Sequence, residues 1–153
     1  MAYSNFTLRQ VEKDFHFAPI LLELRRRSPV PISLFSGTEF NVSPEQGLTG
    51  YCDYLVSLSK QQLQISAPAI AIVEAKNEDI KSGLGQCIAE MVAAQLFNEL
   101  ENNEIETIYG IVTTGAIWKF LQISKQIVAI DLTDHYITDI SKILGILLRF
   151  VSK

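Results

Sequence analysis

Residues 50–90 read GYCDYLVSLSKQQLQISAPAIAIVEAKNEDIKSGLGQCIAE, and the fold is best predicted outward from this stretch. Its apolar run AIAIV predicts a strand over residues 67–76 that is buried on both faces and is therefore central in a sheet. The acidic segment at residues 77–79 predicts the start of a long helix over residues 80–101, because acidic side chains stabilise the positive end of a helix dipole.

Further strands are predicted on both sides of the central one. Two strand-like segments precede it and are joined by a short turn-forming segment, which predicts an antiparallel hairpin. Two β-branched segments on either side of Gly115 predict a second hairpin after the long helix. The predicted strands are 33–42, 49–58, 107–114 and 117–124, with a further short candidate at 126–132.

Helices are predicted near both ends of the chain. Apolar spacing favours a helix over residues 6–27, where Pro19 either kinks one long helix or starts a second one. An amphipathic pattern predicts a closing helix over residues 136–151. The element order is then helix, three strands, helix, two or three strands, helix. We therefore expect an α/β or α+β fold with a central mixed sheet flanked by helices, in a single domain over residues 1–153.

Length, composition and charge limit the class of protein. The chain has 153 residues, of which 48% are hydrophobic and 20% charged, and this is typical of one ordinary folded domain. No apolar run approaches the roughly 20 residues of a membrane span, and the N-terminal residues lack an apolar signal-peptide core. Two cysteines favour a reducing compartment, so we expect a cytoplasmic protein with no membrane partner. The net charge of −4 argues against tight, non-specific nucleic-acid binding by the whole surface, but not against local basic clusters.

Polar residues interrupt the central strands at corresponding places. Glu74 and Lys76 are two positions apart, so their side chains point to the same face of the strand. Asp53 lies in the preceding strand, with Tyr51 and Leu55 predicted on its own face. If the two strands are neighbours, Asp53 lies beside Glu74. Two carboxylates at such a distance repel each other unless a cation lies between them.

A divalent cation is therefore the expected cofactor. Oxygen ligands suit Mg²⁺ or Mn²⁺, and the backbone carbonyl of Ala75 is a candidate third ligand. Such a metal lowers the pKa of a bound water and neutralises phosphate oxygens. Lys76 would orient the attacking water or stabilise charge in the transition state. On the following helix, Gln86 is a candidate to hold the nucleophile or a phosphate, whereas Glu90, one turn later, is expected to be solvated.

The pattern of Asp53, then Glu74-x-Lys76, then Gln86 on the next helix resembles the PD-(D/E)XK nuclease superfamily, whose members share the restriction-endonuclease-like fold. The resemblance covers residues 8–124, and the family's common core of helix, three strands, helix and strand matches the predicted order. It implies that Asp53 and Glu74 bind the metal and that Lys76 is the catalytic lysine.

The same resemblance raises a question about the first helix and shows two departures. Family members often carry a further acid on that helix, for which Glu12, Asp14 and Glu23 are candidates, and Asp14 is preferred as a metal ligand. Cys52 stands where a proline commonly precedes the aspartate. Glu90 stands where the family's RecB-like branch has a tyrosine.

The predicted function is metal-dependent hydrolysis of phosphodiester bonds in nucleic acid, with DNA as the expected substrate and a homodimer as the expected form. One alternative is a non-catalytic nucleic-acid-binding or assembly module on the same fold. Another is a small α/β ligand-binding protein in which the motif is coincidental. Against this last alternative, the segment SGLG at residues 82–85 is too short for a phosphate-binding loop or a dinucleotide fingerprint.

Overall fold

A computed structural model describes residues 8–59, 68–76 and 79–152, with side chains described from Phe17 onwards. Within these residues the chain forms three α-helices and seven strands. The helices are α1 Leu8–Arg27, α2 Ile80–Leu100 and α3 Ile140–Val151. The strands are β1 Ser33–Glu39, β2 Tyr51–Ser57, β3 Ala69–Ala75, β4 Thr107–Thr113, β5 Ile117–Ser124, β6 Ile127–Ile130 and β7 His135–Tyr136. None of the helices combines the length and apolarity that crossing a bilayer requires.

The strands form one mixed sheet in the order β1-β2-β3-β4-β5-β6, and β7 pairs with β5 on the same side as β6. Neighbouring strands are antiparallel except β3 and β4, which are parallel and are connected through α2. The protein is therefore an α+β fold with a mixed sheet flanked by helices. This confirms the predicted class, the two hairpins and the order of elements.

The helices divide the hydrophobic core into two layers, one on each face of the sheet. Helix α2 packs on β3 and β4, whereas α1 and α3 contact each other on the opposite face. The core on the α1/α3 side includes Phe17, Leu21, Leu24, Tyr54, Val73, Ile111, Trp118, Ile143 and Leu147. The core on the α2 side, called the α2-side core below, includes Phe35, Phe40, Cys52, Leu55, Ile72, Cys87, Met91 and Val112.

Strand β3 is covered on both faces, and all seven of its residues are buried. The continuous apolar run that predicted a central strand is thus confirmed, because helices cover both faces of a strand with parallel pairing. Val73 belongs to the α1/α3-side core and Ile72 to the α2-side core. By alternation, Glu74 points towards α2. A carboxyl group therefore lies in the layer between the centre of the sheet and its covering helix.

Alternation fails on β1 and β2 at the point opposite Asp53. Gly37 lies between the pairs Ser36↔Tyr54 and Thr38↔Cys52 and has a φ of 55°, which glycine adopts without strain. Phe35 and Phe40 both lie in the α2-side core, although strict alternation would put them on opposite faces. Cys52 and Leu55 share that core in the same way. The prediction that Tyr51 shares a face with Leu55 was wrong for this reason, and Tyr51 is 65% exposed.

Two predicted helix boundaries are resolved by the structure. Helix α1 continues through Pro19 as a single helix from Leu8, so the predicted second start does not occur. Helix α3 starts at Ile140 and not at residue 136, because His135–Tyr136 pairs with β5 and a 3-10 turn over Ile137–Asp139 follows.

Candidate functional site

The candidate site lies where β2 and β3 separate. Their pairing runs to Tyr54↔Val73, and Asp53 and Glu74 are the next residue on each strand. Beyond that pair, Oδ2 of Asp53 accepts a hydrogen bond from the backbone N–H of Ala75 at 2.8 Å. A side chain thus replaces the strand-to-strand bond, so the two strands diverge while both carboxyl groups remain close. The expectation that these residues come from neighbouring strands is confirmed.

Glu74 is the most buried polar group of this site. The residue is 1% exposed, and its Oε1 is buried with no hydrogen-bond partner among the described residues. Burial raises the pKa of Glu74 to about 10, with further contributions from a hydrogen bond to Glu90 and from the charges of Glu90 and Asp53. The charge of Lys76 acts in the opposite direction but does not offset these effects. In the protein alone, Glu74 is therefore a neutral acid at pH 7.

Glu90 of helix α2 is the hydrogen-bond partner of Glu74, so the prediction that it is a solvated residue was wrong. It accepts hydrogen bonds from the Glu74 carboxyl group, from Nε2 of Gln86 at 3.3 Å and from the Cys52 thiol. Burial is the main cause of its raised pKa, and Asp53 adds to it. Its Oε2 is buried without a partner. The four-residue spacing from Gln86 puts both side chains on one face of the helix, but it does not distinguish a buried face from a solvated one.

Lys76 is held by helix α2. Its Nζ donates a hydrogen bond to Oε1 of Gln86 at 3.0 Å, and its backbone N–H donates to the carbonyl of Thr113 at 2.8 Å. The first turn of α2 comes close to the lysine because residue 83 is glycine: a Cβ there would lie 3.1 Å from Cγ of Lys76 and 2.7 Å from Cγ1 of Val112. The side chain of Lys76 is thus directed towards Gln86, a contact that the sequence did not predict.

Together these contacts form a continuous polar line from Lys76 through Gln86 and Glu90 to Glu74, with Asp53 beside its inner end. The line contains two buried oxygens without hydrogen-bond partners, one on each glutamate. Such oxygens are costly unless a proton or a cation compensates them. Three carboxyl groups supply only oxygen ligands, and that donor set suits Mg²⁺ or Mn²⁺.

The side chains are not arranged around a common metal position in this structure. Among the described residues, no group of three or more His, Cys, Asp and Glu side chains has the arrangement of metal ligands. In this arrangement Glu74 and Glu90 share a hydrogen bond, and Asp53 accepts one from the Ala75 N–H. The side chain of Asp14, the preferred first-helix ligand, lies outside the described residues.

Of two cavities in the described part of the chain, one adjoins this polar line and the other lies away from it. A small one of about 40 Å³ is bounded by Cys52 and Glu90 and by the loop that ends at Gly50, so it lies next to one of the three carboxyl groups. A larger cavity, at the other end of α2, is lined by Gln95 and Glu99 and contains none of the predicted site residues. The chemistry is therefore expected at the smaller opening.

Comparison of the chain with protein-family models, with curated proteins and with solved structures gives no match. The function is therefore inferred from this chain's own geometry. That geometry brings together Asp53, Glu74, Ala75, Lys76 and Gln86, all of which the sequence analysis selected, and it adds Glu90.

Proposed function

We propose that this protein is a metal-dependent phosphodiesterase of the PD-(D/E)XK nuclease superfamily, which hydrolyses nucleic acid with DNA as its substrate. The single observation that carries the proposal is the buried Glu74 carboxyl group, whose Oε1 has no partner and which lies beside Asp53 and Glu90. A protein that needed only stability would gain by an apolar residue at this position, because an uncompensated buried carboxyl group lowers stability. Retention of such a group is typical of functional sites.

The residues that would hold the metal are Asp53, Glu74 and the carbonyl of Ala75, joined by Glu90. Bound there, Mg²⁺ or Mn²⁺ supplies a water of lowered pKa and neutralises phosphate charge. Glu74 holds a proton on its carboxyl group in the protein alone, and it must release that proton before it can act as a ligand. Asp53 is fixed in position by the Ala75 N–H, and its charge acts on Glu74.

Lys76 and Gln86 would act on the substrate side. The ammonium group of Lys76 stabilises negative charge that develops on a phosphate oxygen, and it orients the attacking water. Gln86 keeps this ammonium near the carboxyl groups through its Oε1, while its Nε2 holds Glu90. One amide thus determines the distance between the cation of the lysine and the metal ligands.

Two further observations support the family and the cellular setting. The elements from α1 to β4 follow the order of the family's common core, which is helix, three strands, helix and strand. Both cysteines are buried free thiols, and these are compatible with a reducing cytoplasm. We therefore place the proposed nuclease in the cytoplasm.

The test is a calorimetric titration of Mn²⁺, at low salt, into the wild-type protein and into Asp53→Ala. We expect one site in the wild type and its loss in the variant. The control is Glu99→Gln, which changes an exposed glutamate of α2 outside the candidate site. This variant should bind Mn²⁺ as the wild type does. Cleavage of plasmid and single-stranded DNA with Mg²⁺ follows, and activity that persists in Asp53→Ala would overturn the proposal.

One observation favours a second candidate, a non-catalytic nucleic-acid-binding or assembly module on the same fold. The polar groups of the site use one another as hydrogen-bond partners: Glu74 with Glu90, and Lys76 with Gln86. A degenerate site would keep these hydrogen bonds. It would show no site-specific Mn²⁺ binding and no cleavage, so the same two measurements decide between the candidates.

A further inference from the structure

The last strand of the sheet, β6, is exposed on both faces. All four of its residues are exposed, including Ile127 at 74%. Within the described part of the chain, β6 is the end of the strand order and has β5 as its neighbour on one side. Leu132, directly after the strand, is 93% exposed. Large aliphatic side chains thus surround a free sheet edge.

This edge strand is short, with four residues, but it lacks the other features by which monomeric proteins protect a terminal strand. Such strands usually carry a charge, a proline or a bulge, because an unprotected row of N–H and C=O groups pairs with other chains. The strand sequence IVAI has none of these. An apolar groove of about 320 Å³ continues from it towards α3 and is lined in part by Phe120, Ile130 and Phe150.

The hydrogen-bond pattern shows which backbone groups this edge offers. The N–H of Asp131 donates to the carbonyl of Phe120 on β5 at 2.9 Å. Because inward and outward groups alternate along an antiparallel strand, Ala129 and Ile127 also point towards β5. Val128 and Ile130 therefore direct their N–H and C=O groups away from the sheet. A partner strand centred on Val128 would meet the outward groups.

The charges around the strand fit a second copy of the same strand. Lys125 and Asp131 lie three residues before and three residues after Val128. If two β6 strands pair antiparallel about a two-fold axis at Val128, each Lys125 lies opposite the Asp131 of the other copy. Asp131 is also bonded to His135 and to the Thr133 N–H, but it keeps 40% of its side chain exposed. Both ion pairs of the symmetric arrangement are then attractive.

We propose that β6 is a homodimer interface, in which two copies pair their β6 strands antiparallel about Val128 and form one continuous sheet. In the same register, each exposed Leu132 lies beyond the turn that connects β5 and β6 in the other copy. The surface that the described chain leaves apolar is thereby covered by its own symmetry mate. This inference does not rest on the proposed nuclease function, because none of the candidate site residues belongs to β5, β6 or β7.

The first test is sedimentation velocity of the full-length wild type and of Val128→Pro. Proline removes the outward N–H of Val128 without removing a bond to β5, so the fold should be kept, as far-UV circular dichroism can verify. We expect a wild-type dimer and at least a tenfold rise in the dimer dissociation constant of the variant. A wild type that sediments as a monomer, or a folded variant that dimerises as the wild type does, would overturn the proposal.

The second test is independent of backbone changes and uses the charge pairs. Lys125→Glu and Asp131→Lys should each weaken self-association, because two attractive pairs become repulsive. An equimolar mixture of the two variants should restore a dimer, since every pair across the mixed interface is attractive again. Lys142→Glu, the same charge change at an exposed residue of α3, is the control and should dimerise normally. A mixture that stays monomeric, or a Lys125→Glu variant that dimerises like the control, contradicts the assigned register.

Discussion

At the end of β3, three carboxyl groups lie within or next to the core, whereas at β6 three large aliphatic side chains in four residues lie in solvent. Both regions depart from the ordinary distribution of polar and apolar residues, but in opposite directions. The carboxyl groups belong to the centre of the sheet, and the aliphatic side chains belong to its edge.

The two departures differ in their energetic consequences. A buried carboxyl oxygen without a partner is strongly unfavourable, by roughly 1–3 kcal/mol or more, and a proton or a cation removes the penalty. An exposed aliphatic side chain costs the folded monomer little, because it is also exposed in the unfolded chain. The buried region therefore makes the protein sensitive to ions and pH, whereas the edge makes it sensitive to concentration.

The largest effect is expected at the buried end, from Glu74→Gln. The amide keeps a donor for Glu90 but cannot become a carboxylate ligand, so cleavage should fall by about 10³-fold or more. The free energy of unfolding should stay equal or rise, because the wild type must take up a proton at Glu74 on folding near pH 7, whereas glutamine needs none. Cleavage assays and urea denaturation measure the two quantities. A stable variant with wild-type cleavage would remove Glu74 from the site, and a destabilised one would make it a structural residue.

The next effect concerns the close approach of α2 to Lys76 and is measured on a matched pair of glycines. A Cβ at Gly83 would lie 2.7 Å from Val112 and 3.1 Å from Lys76, so Gly83→Ala should lower the free energy of unfolding by about 1–3 kcal/mol. Gly85 is in the same helix with no atom within 4 Å of its added Cβ, so Gly85→Ala should raise stability by roughly 0.5–1 kcal/mol. Chemical denaturation of both variants checks the signs. Equal changes in the free energy of unfolding would mean that there is no tight contact of α2 with Val112 and Lys76 at Gly83.

A smaller and gradual effect is expected from pH. The pKa of Glu74 rises from 4.5 to about 10 on folding, so between these values the native state holds a proton that the unfolded chain has released. The free energy of unfolding of the metal-free protein should therefore fall as pH rises through this window. Thermal unfolding from about pH 5 to about pH 8 measures this slope, and Glu74→Gln should reduce it. If the variant keeps the full wild-type slope, another group is responsible for it.

Much of the sheet could be predicted because its signals are local. The run AIAIV indicates burial on both faces, and the turn-forming segments between neighbouring strands indicate hairpins. The two residues of β7 could not be predicted, because pairing with β5 and not their own propensity defines them. The parallel pairing of β3 with β4 likewise depends on α2 crossing between them.

The site was predictable in its members but not in its contacts. Asp53, Glu74 and Lys76 stand out because charged residues are rare in such apolar strands. Glu90 did not stand out, because a glutamate four residues after a glutamine is common on a solvated helix face. Its surroundings depend on the break in alternation opposite Gly37, after which Cys52 lies in the α2-side core and lines the same small cavity as the glutamate. A left-handed glycine in an edge strand gives no local signal of that consequence.

The smallest effect is expected at the edge, from Ile127→Lys measured on the isolated monomer. This side chain is 74% exposed, so little apolar burial is lost, and the free energy of unfolding of dilute protein should change by no more than about 0.5 kcal/mol. Self-association should weaken at the same time, because each new lysine lies opposite the apolar Ala129 of the other copy and diagonally across from the second new lysine. Denaturation at low concentration and sedimentation at high concentration separate the two quantities. A large loss of monomer stability would show that Ile127 packs within its own chain. The side chains of β6 would then contribute to the core of the monomer and would not be reserved for a second copy.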